Sequence, residues 1–171
     1  MAFTRILPEE AGSVEGIIDT GIIVIAHFEN PAQRSAVNFL SEILGMKVRC
    51  VIPTSAFLGA YHIMTRYIGV EAVAAFRALS KTLETRSPTL FTDIPIDLAI
   101  DALAYAGGYR VESWDGYIMA LARAFNAPII YSIDKGLSRK VKGINVVNPI
   151  PEEEFRAYCT WLRGKLVKRE G

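Results

Sequence analysis

Three aspartates, Asp19, Asp115 and Asp134, stand where an apolar stretch ends or a helix begins. Asp19 closes a β-branched run (14–18), and Asp134 follows another (128–132) after Ser132 and Ile133. Asp115 falls in the first turn of a segment for which Ser113 is the expected N-cap. That segment leads directly into the strand before Asp134, so its start lies level with the strand's carboxyl end. In open parallel sheets, ligands bind outside the carboxyl ends of the strands. Three carboxylates meeting there would repel one another and raise at least one pKa unless a cation sat between them. Oxygen ligands suit hard divalent ions, and Mg²⁺ takes one or two carboxylates while keeping several waters. Such an ion can activate water and stabilise an in-line phosphoryl displacement. A plainer reading stands beside this one, because Asp at strand ends and helix starts is common for capping alone.

The elements that must position these residues can be read from periodicity. Short β-branched runs at 14–18, 48–52, 128–132 and 145–147 predict strands, with a weaker one at 89–92. Between them, apolar positions at helical spacing predict helices over 22–28, from Ala32 to Gly45, from the Pro53-Thr54-Ser55 start, and over 71–83. A further helix begins at Pro95 and is expected to end at Gly107-Gly108. In the next, Trp114, Tyr117, Ile118, Leu121, Ala122 and Phe125 form one expected buried face. The last helix covers about 151–169. Strands alternating with helices of ten or more residues call for a central parallel sheet flanked by helices on both faces, a three-layer α/β/α domain. No repeat, low-complexity tract or linker divides the chain, so residues 1–171 read as one domain with a core of about 14–155.

Composition narrows the classes. At 171 residues and 51% hydrophobic, the chain can bury about two thirds of its unfolded surface and needs no disulfide or metal staple. Its two cysteines exclude a Cys-based zinc cluster and fit a reducing, cytoplasmic setting. A net charge of +1 provides no global field toward nucleic acid or membrane, so any such partner must meet a local patch. Residues 1–12 do not read as a signal peptide, and the longest near-apolar run, 17–28, contains Asp19 and falls short of the ~20 residues a membrane span needs. No Gly-rich phosphate loop occurs, which removes nucleotide-cofactor readings. Asp19-Thr20-Gly21 lacks the second aspartate of an aspartyl-phosphate phosphatase, and the paired acids of a response-regulator receiver are absent.

Taken in order, several segments resemble the PIN-domain ribonucleases. Ile17-Ile18-Asp19-Thr20 is similar to the family's opening, 113–122 to its third-acid helix, and 128–137 to its fourth-acid strand and loop. The tail 147–155 is similar to the usual close of the domain. The resemblance implies a metal-dependent endoribonuclease, of the kind found as the toxin of VapBC toxin–antitoxin pairs and in archaeal RNA processing. It implies that Asp19, Asp115 and Asp134 hold Mg²⁺ or Mn²⁺, with the Thr20 and Ser132 hydroxyls orienting the carboxylates or a bound water. It further implies RNA as substrate, a small antitoxin as partner, and a homodimer formed through the helices of 61–76.

One position departs from the family. Its second acid, a glutamate, corresponds here to Gly59. Glycine inside a helix costs about 1 kcal/mol relative to alanine, so Gly59 is not there for helix stability. Either it admits close packing or substrate, or the acid was lost when cleavage became dispensable, leaving a scaffold that binds RNA or protein without cutting. Glu112, three residues before Asp115, is the nearest replacement; the alternative is a solvated loop acid.

Other charged residues have plainer readings. Asp97 and Asp101 are expected on a solvated face, with Ile96, Ile100 and Leu103 on the buried side. His27 and His62 lack ligand-spaced partners and read as buried or half-buried side chains rather than zinc ligands. Lys135, Arg139, Lys140 and Lys142 follow Asp134, are expected on the same rim, and could meet RNA phosphates. Arg163, Lys165, Lys168 and Arg169 read as favourable charge near a helix C-terminus.

Overall fold

The computed structural model describes the backbone of residues 13–170 and side chains through residue 166. The segment 1–12, read above for a targeting signal, lies outside the described residues. The strands are β1 (Gly16–Ile18), β2 (Cys50–Pro53), β3 (Leu90–Phe91), β4 (Ile129–Tyr131) and β5 (Asn145–Val147). The helices are α1 (Thr20–Ala26), α2 (Gln33–Leu44), α3 (Ser55–His62), α4 (Ala72–Leu83), α5 (Ile96–Tyr109), α6 (Ser113–Ala124), α7 (Lys135–Lys140) and α8 (Glu152–Glu170). A π-helical stretch, Ile63–Ile68, prolongs α3 until Gly69, at φ 80°, turns the chain.

All five strands pair in parallel, in the order β3-β2-β1-β4-β5. Neighbouring residues on a strand point to opposite faces. Ile18 and Ile52 therefore join the layer built from α1 to α4 and α8, while Ile17 and Val51 join the layer of α5, α6 and α7. Burial on both faces explains why these strands read as unbroken apolar runs. The result is the expected three-layer α/β/α domain. Among the described residues, no helix is long and apolar enough to cross a membrane.

Several expectations need correction. Gly107 and Gly108 do not end α5; the helix runs to Tyr109, and Arg110 closes it in the left-handed region at φ 55°. Along its length α5 is held against α6, and that packing carries the helix through two poor helix formers. Ser113 is the first residue of α6 rather than its cap, which is Glu112. The expected buried side of α5 is turned outward: Ile96, Ile100 and Leu103 are 80%, 59% and 65% exposed, and Leu98 and Ala102 are buried instead. His62 is exposed, with its ring edge-on to Tyr67. The short helix α7 and the π-helical stretch had no signal in the periodicity.

Candidate active site at the sheet switch point

The strand order reverses between β1 and β4. From β1 the chain moves outward to β2 and β3, and then returns to place β4 on the other side of β1. Ligands bind at such a switch point because the loops diverge there and leave a crevice. Asp19 follows β1 and Asp134 follows β4. The Asp19 N–H continues the ladder to the Tyr131 carbonyl at 3.0 Å. α6 packs on both strands and carries Asp115 in its first turn.

Asp19 is the N-cap of α1, accepting from the Thr20 N–H through Oδ1 at 2.7 Å. Its other oxygen, Oδ2, accepts from the buried Ser132 hydroxyl at 2.6 Å. The same Ser132 Oγ accepts from the Asp134 N–H at 3.0 Å. Asp134 in turn caps α7, its Oδ1 accepting from the Gly136 N–H at 2.6 Å. Two of the three aspartates are thus helix caps.

Capping does not account for their electrostatics. Hydrogen bonds to a charged carboxylate lower its pKa, yet Asp19 is raised, because burial outweighs the help from Ser132 and Thr20 and the Asp134 charge adds to it. Asp115 is pushed up to about 6, first by burial and then by the charges of Asp19, Asp134 and Glu112. Asp19 therefore senses Asp134, and Asp115 senses both, across the switch point. Among the described residues, no group of three His, Cys, Asp or Glu side chains stands ready to hold one metal ion directly. The donor set suits a hard cation that takes one or two carboxylates and keeps water in its remaining positions, which is the habit of Mg²⁺.

The surroundings divide by charge. Lys135, Arg139 and Lys140 are exposed on α7, directly after Asp134. The Lys140 ammonium donates to the Arg110 carbonyl at 3.1 Å, tying α7 to the turn before α6. Arg110, also exposed, joins this basic side through the fold and has no sequence signal. Lys142 belongs elsewhere. It precedes β5, whose Asn145 pairs with Ile129 at the amino end of the sheet, and its carbonyl accepts from Arg123 late in α6. It therefore lies at the end of the sheet opposite the acids. Glu112 is exposed and acts on Asp115 through its charge.

Gly59 faces this region from α3. A Cβ added there would come within 3.2 Å of Thr20 Cγ2 and 3.6 Å of Thr20 Oγ1, so α3 approaches α1 closely beside the residue that follows Asp19.

An all-parallel three-layer sheet with acids gathered at its switch point defines a class of α/β domains whose site is built from strand-end carboxylates. Residues 17–143 match the PIN domain family model, and the chain belongs to that family. No curated protein matches the sequence. Among solved structures, PAE2754 from Pyrobaculum aerophilum shares the fold with a TM-score of 0.53 at 18% identity, over 93% of this chain and 94% of that one. A chain of a toxin–antitoxin complex from Klebsiella pneumoniae shares it with a TM-score of 0.52 at 18% identity, over 79% of this chain and 98% of that one.

Proposed function

We propose that this chain is a divalent-metal-dependent endoribonuclease that hydrolyses RNA phosphodiester bonds at the β1–β4 switch point. The observation that carries the reading is the placement of Asp19 and Asp134 at the ends of the paired strands β1 and β4, joined through Ser132, with Asp115 in the first turn of the helix packed on both strands. Capping accounts for Asp19 and Asp134 but not for Asp115, and a cation among the three would offset their mutual repulsion. Asp19, Asp115 and Asp134 would hold Mg²⁺ or Mn²⁺ together, one or two of them directly and the rest through water. Bound there, the ion would supply Lewis acidity and a water activated for in-line attack on phosphorus.

The chain's own groups prepare the site. Ser132 fixes the Asp19 carboxylate through its hydroxyl and the Asp134 backbone through its oxygen. Thr20 holds the other Asp19 oxygen through its N–H. Lys135, Arg139 and Lys140 offset the repulsion between an acidic cleft and a polyanion. The family membership and the structural likeness to a chain of a toxin–antitoxin complex support a small antitoxin as partner. Exposed Leu58, Tyr61, Val73 and Phe76 on α3 and α4 support a homodimer through that face. A cytoplasmic location fits two free cysteines.

The test is cleavage of single-stranded RNA in Mn²⁺ by the purified chain and by Asp19→Asn. Loss of cutting in the variant and in EDTA supports the reading; cutting that survives EDTA removes the metal from it. A second reading, a PIN scaffold that binds without cutting, is favoured by Gly59 at the family's second-acid position. RNA binding without cleavage in either metal would select it.

A further inference from the structure

Trp114 precedes Asp115 in the first turn of α6 and belongs to the face expected to be buried, yet it is 57% exposed. Its ring stands edge-on to Tyr117 at 6.2 Å between centroids. Together with Ile94, Ala99, Leu103, Ser113 and Tyr117 it lines an apolar groove of about 230 Å³ between α5, α6 and the segment after β3. Tyr117 forms the inner wall and is itself buried. An indole left more than half in water beside an apolar groove is surface that packing within the fold does not use.

Position supplies the reason. The strand order puts β3 and the groove on one side of the β1–β4 switch point, and β5 with the basic helix α7 on the other. Across the carboxyl edge the surface therefore changes from basic, through acidic, to apolar and aromatic. A single strand of nucleic acid has matching parts: phosphates that meet lysines, a scissile phosphate, and an unstacked base with flat apolar faces. Aromatic side chains that stack bases are the general device for holding single strands. A groove of this volume takes one flat ring and is too small for a helix.

We propose that Trp114 is a positioning residue that stacks a base of the RNA strand flanking the scissile phosphate, with the groove above Tyr117 receiving that base. This rests on the nuclease reading, and it is tested by binding without cleavage. In a Trp161→Phe background Trp114 is the sole indole. Titration with short single-stranded RNA in EDTA should quench its emission saturably. Trp114→Ala should weaken binding roughly 5- to 150-fold, the range for losing one stacked base, and Trp114→Phe should recover part of it at an unchanged melting temperature. In Mn²⁺, the same loss should fall on KM more than on kcat. Quenching without any cleavage would keep this proposal and overturn the nuclease reading. Cleavage with unquenched Trp114, or with Trp114→Ala binding RNA as the parent does, would overturn the proposal and leave the groove to a protein partner or to none.

Discussion

The Ser132 hydroxyl donates to Asp19 Oδ2 at 2.6 Å while its oxygen accepts from the Asp134 N–H at 3.0 Å, so one buried side chain couples the ends of β1 and β4. Ser132→Ala removes a hydrogen bond to a carboxylate and leaves the Asp134 N–H without this partner. Hydrogen bonds to charged groups are worth about 1.5–3 kcal/mol, and urea unfolding should show a loss of that order. Without the hydroxyl, Asp19 should ionise at still higher pH and the acidic limb of the cleavage profile should move up. A stable variant with an unchanged profile would show that Ser132 does not set the Asp19 carboxylate.

Metal should stabilise the fold more at high pH than at low pH. Asp115 ionises near 6 in the folded chain, against an ordinary 3.8. Its contribution is therefore fully present below pH 4 and is lost as pH rises through 6. For a carboxyl that is half exposed, solvent screening leaves about 1–2 kcal/mol of this cost. Excess Mg²⁺ or Mn²⁺ should raise the melting temperature clearly at pH 8 and little at pH 5. Asp115→Asn should raise the metal-free melting temperature at pH 8 and shrink the metal increment. An equal increment at both pH values would place the ion elsewhere.

Gly59 and Thr20 form a second test. A glutamate at 59 would supply the family's missing carboxylate and about 1 kcal/mol of helix propensity, but its Cβ would press on Thr20 Cγ2 at 3.2 Å. Thr20→Ser deletes that methyl. Gly59→Glu should be more stable in the Thr20→Ser background than with Thr20 intact, with a larger gap in melting temperature between Mg²⁺ and EDTA than the parent shows. Equal destabilisation in both backgrounds, with and without metal, would make Gly59 a packing glycine unrelated to the ion.

Gly116 should tolerate no side chain. A Cβ there would overlap the Ala102 carbonyl oxygen and approach Ala106 N to 2.9 Å and Ala106 Cβ to 3.0 Å. These are backbone atoms and a short side chain that cannot swing aside, so α5 and α6 would have to separate. Overpacking of this kind costs about 1–3 kcal/mol or more, a fall in melting temperature of roughly 3–10 °C for a domain of this size. Because Asp115 is the preceding residue, the metal increment should fall as well. Thermal melts of Gly116→Ala with and without Mn²⁺ check both; a parent-like melt would mean that α5 and α6 do not meet this closely at Gly116.

By itself the sequence determined what depends on short-range order. β-branched runs marked the strands, 3.6-residue spacing marked most helices, and Asp19, Asp115 and Asp134 were identifiable because each sits at the boundary of such an element. The PIN resemblance followed from the order of those pieces. Tertiary structure decided everything that depends on which surface meets which. An apolar residue at helical spacing is buried only if another layer covers it, so the exposure of Trp114, Ile96, Ile100 and Leu103 was hidden. α5 continues through Gly107 and Gly108 because it is pinned to α6, an interaction that no local propensity reports. Lys142 left the acidic rim because α7 carries the chain back to the start of β5. The joining of Asp19 to Asp134 through Ser132 arose from strand order: β4 pairs with β1 after more than a hundred residues, and only that pairing makes the two carboxylates neighbours.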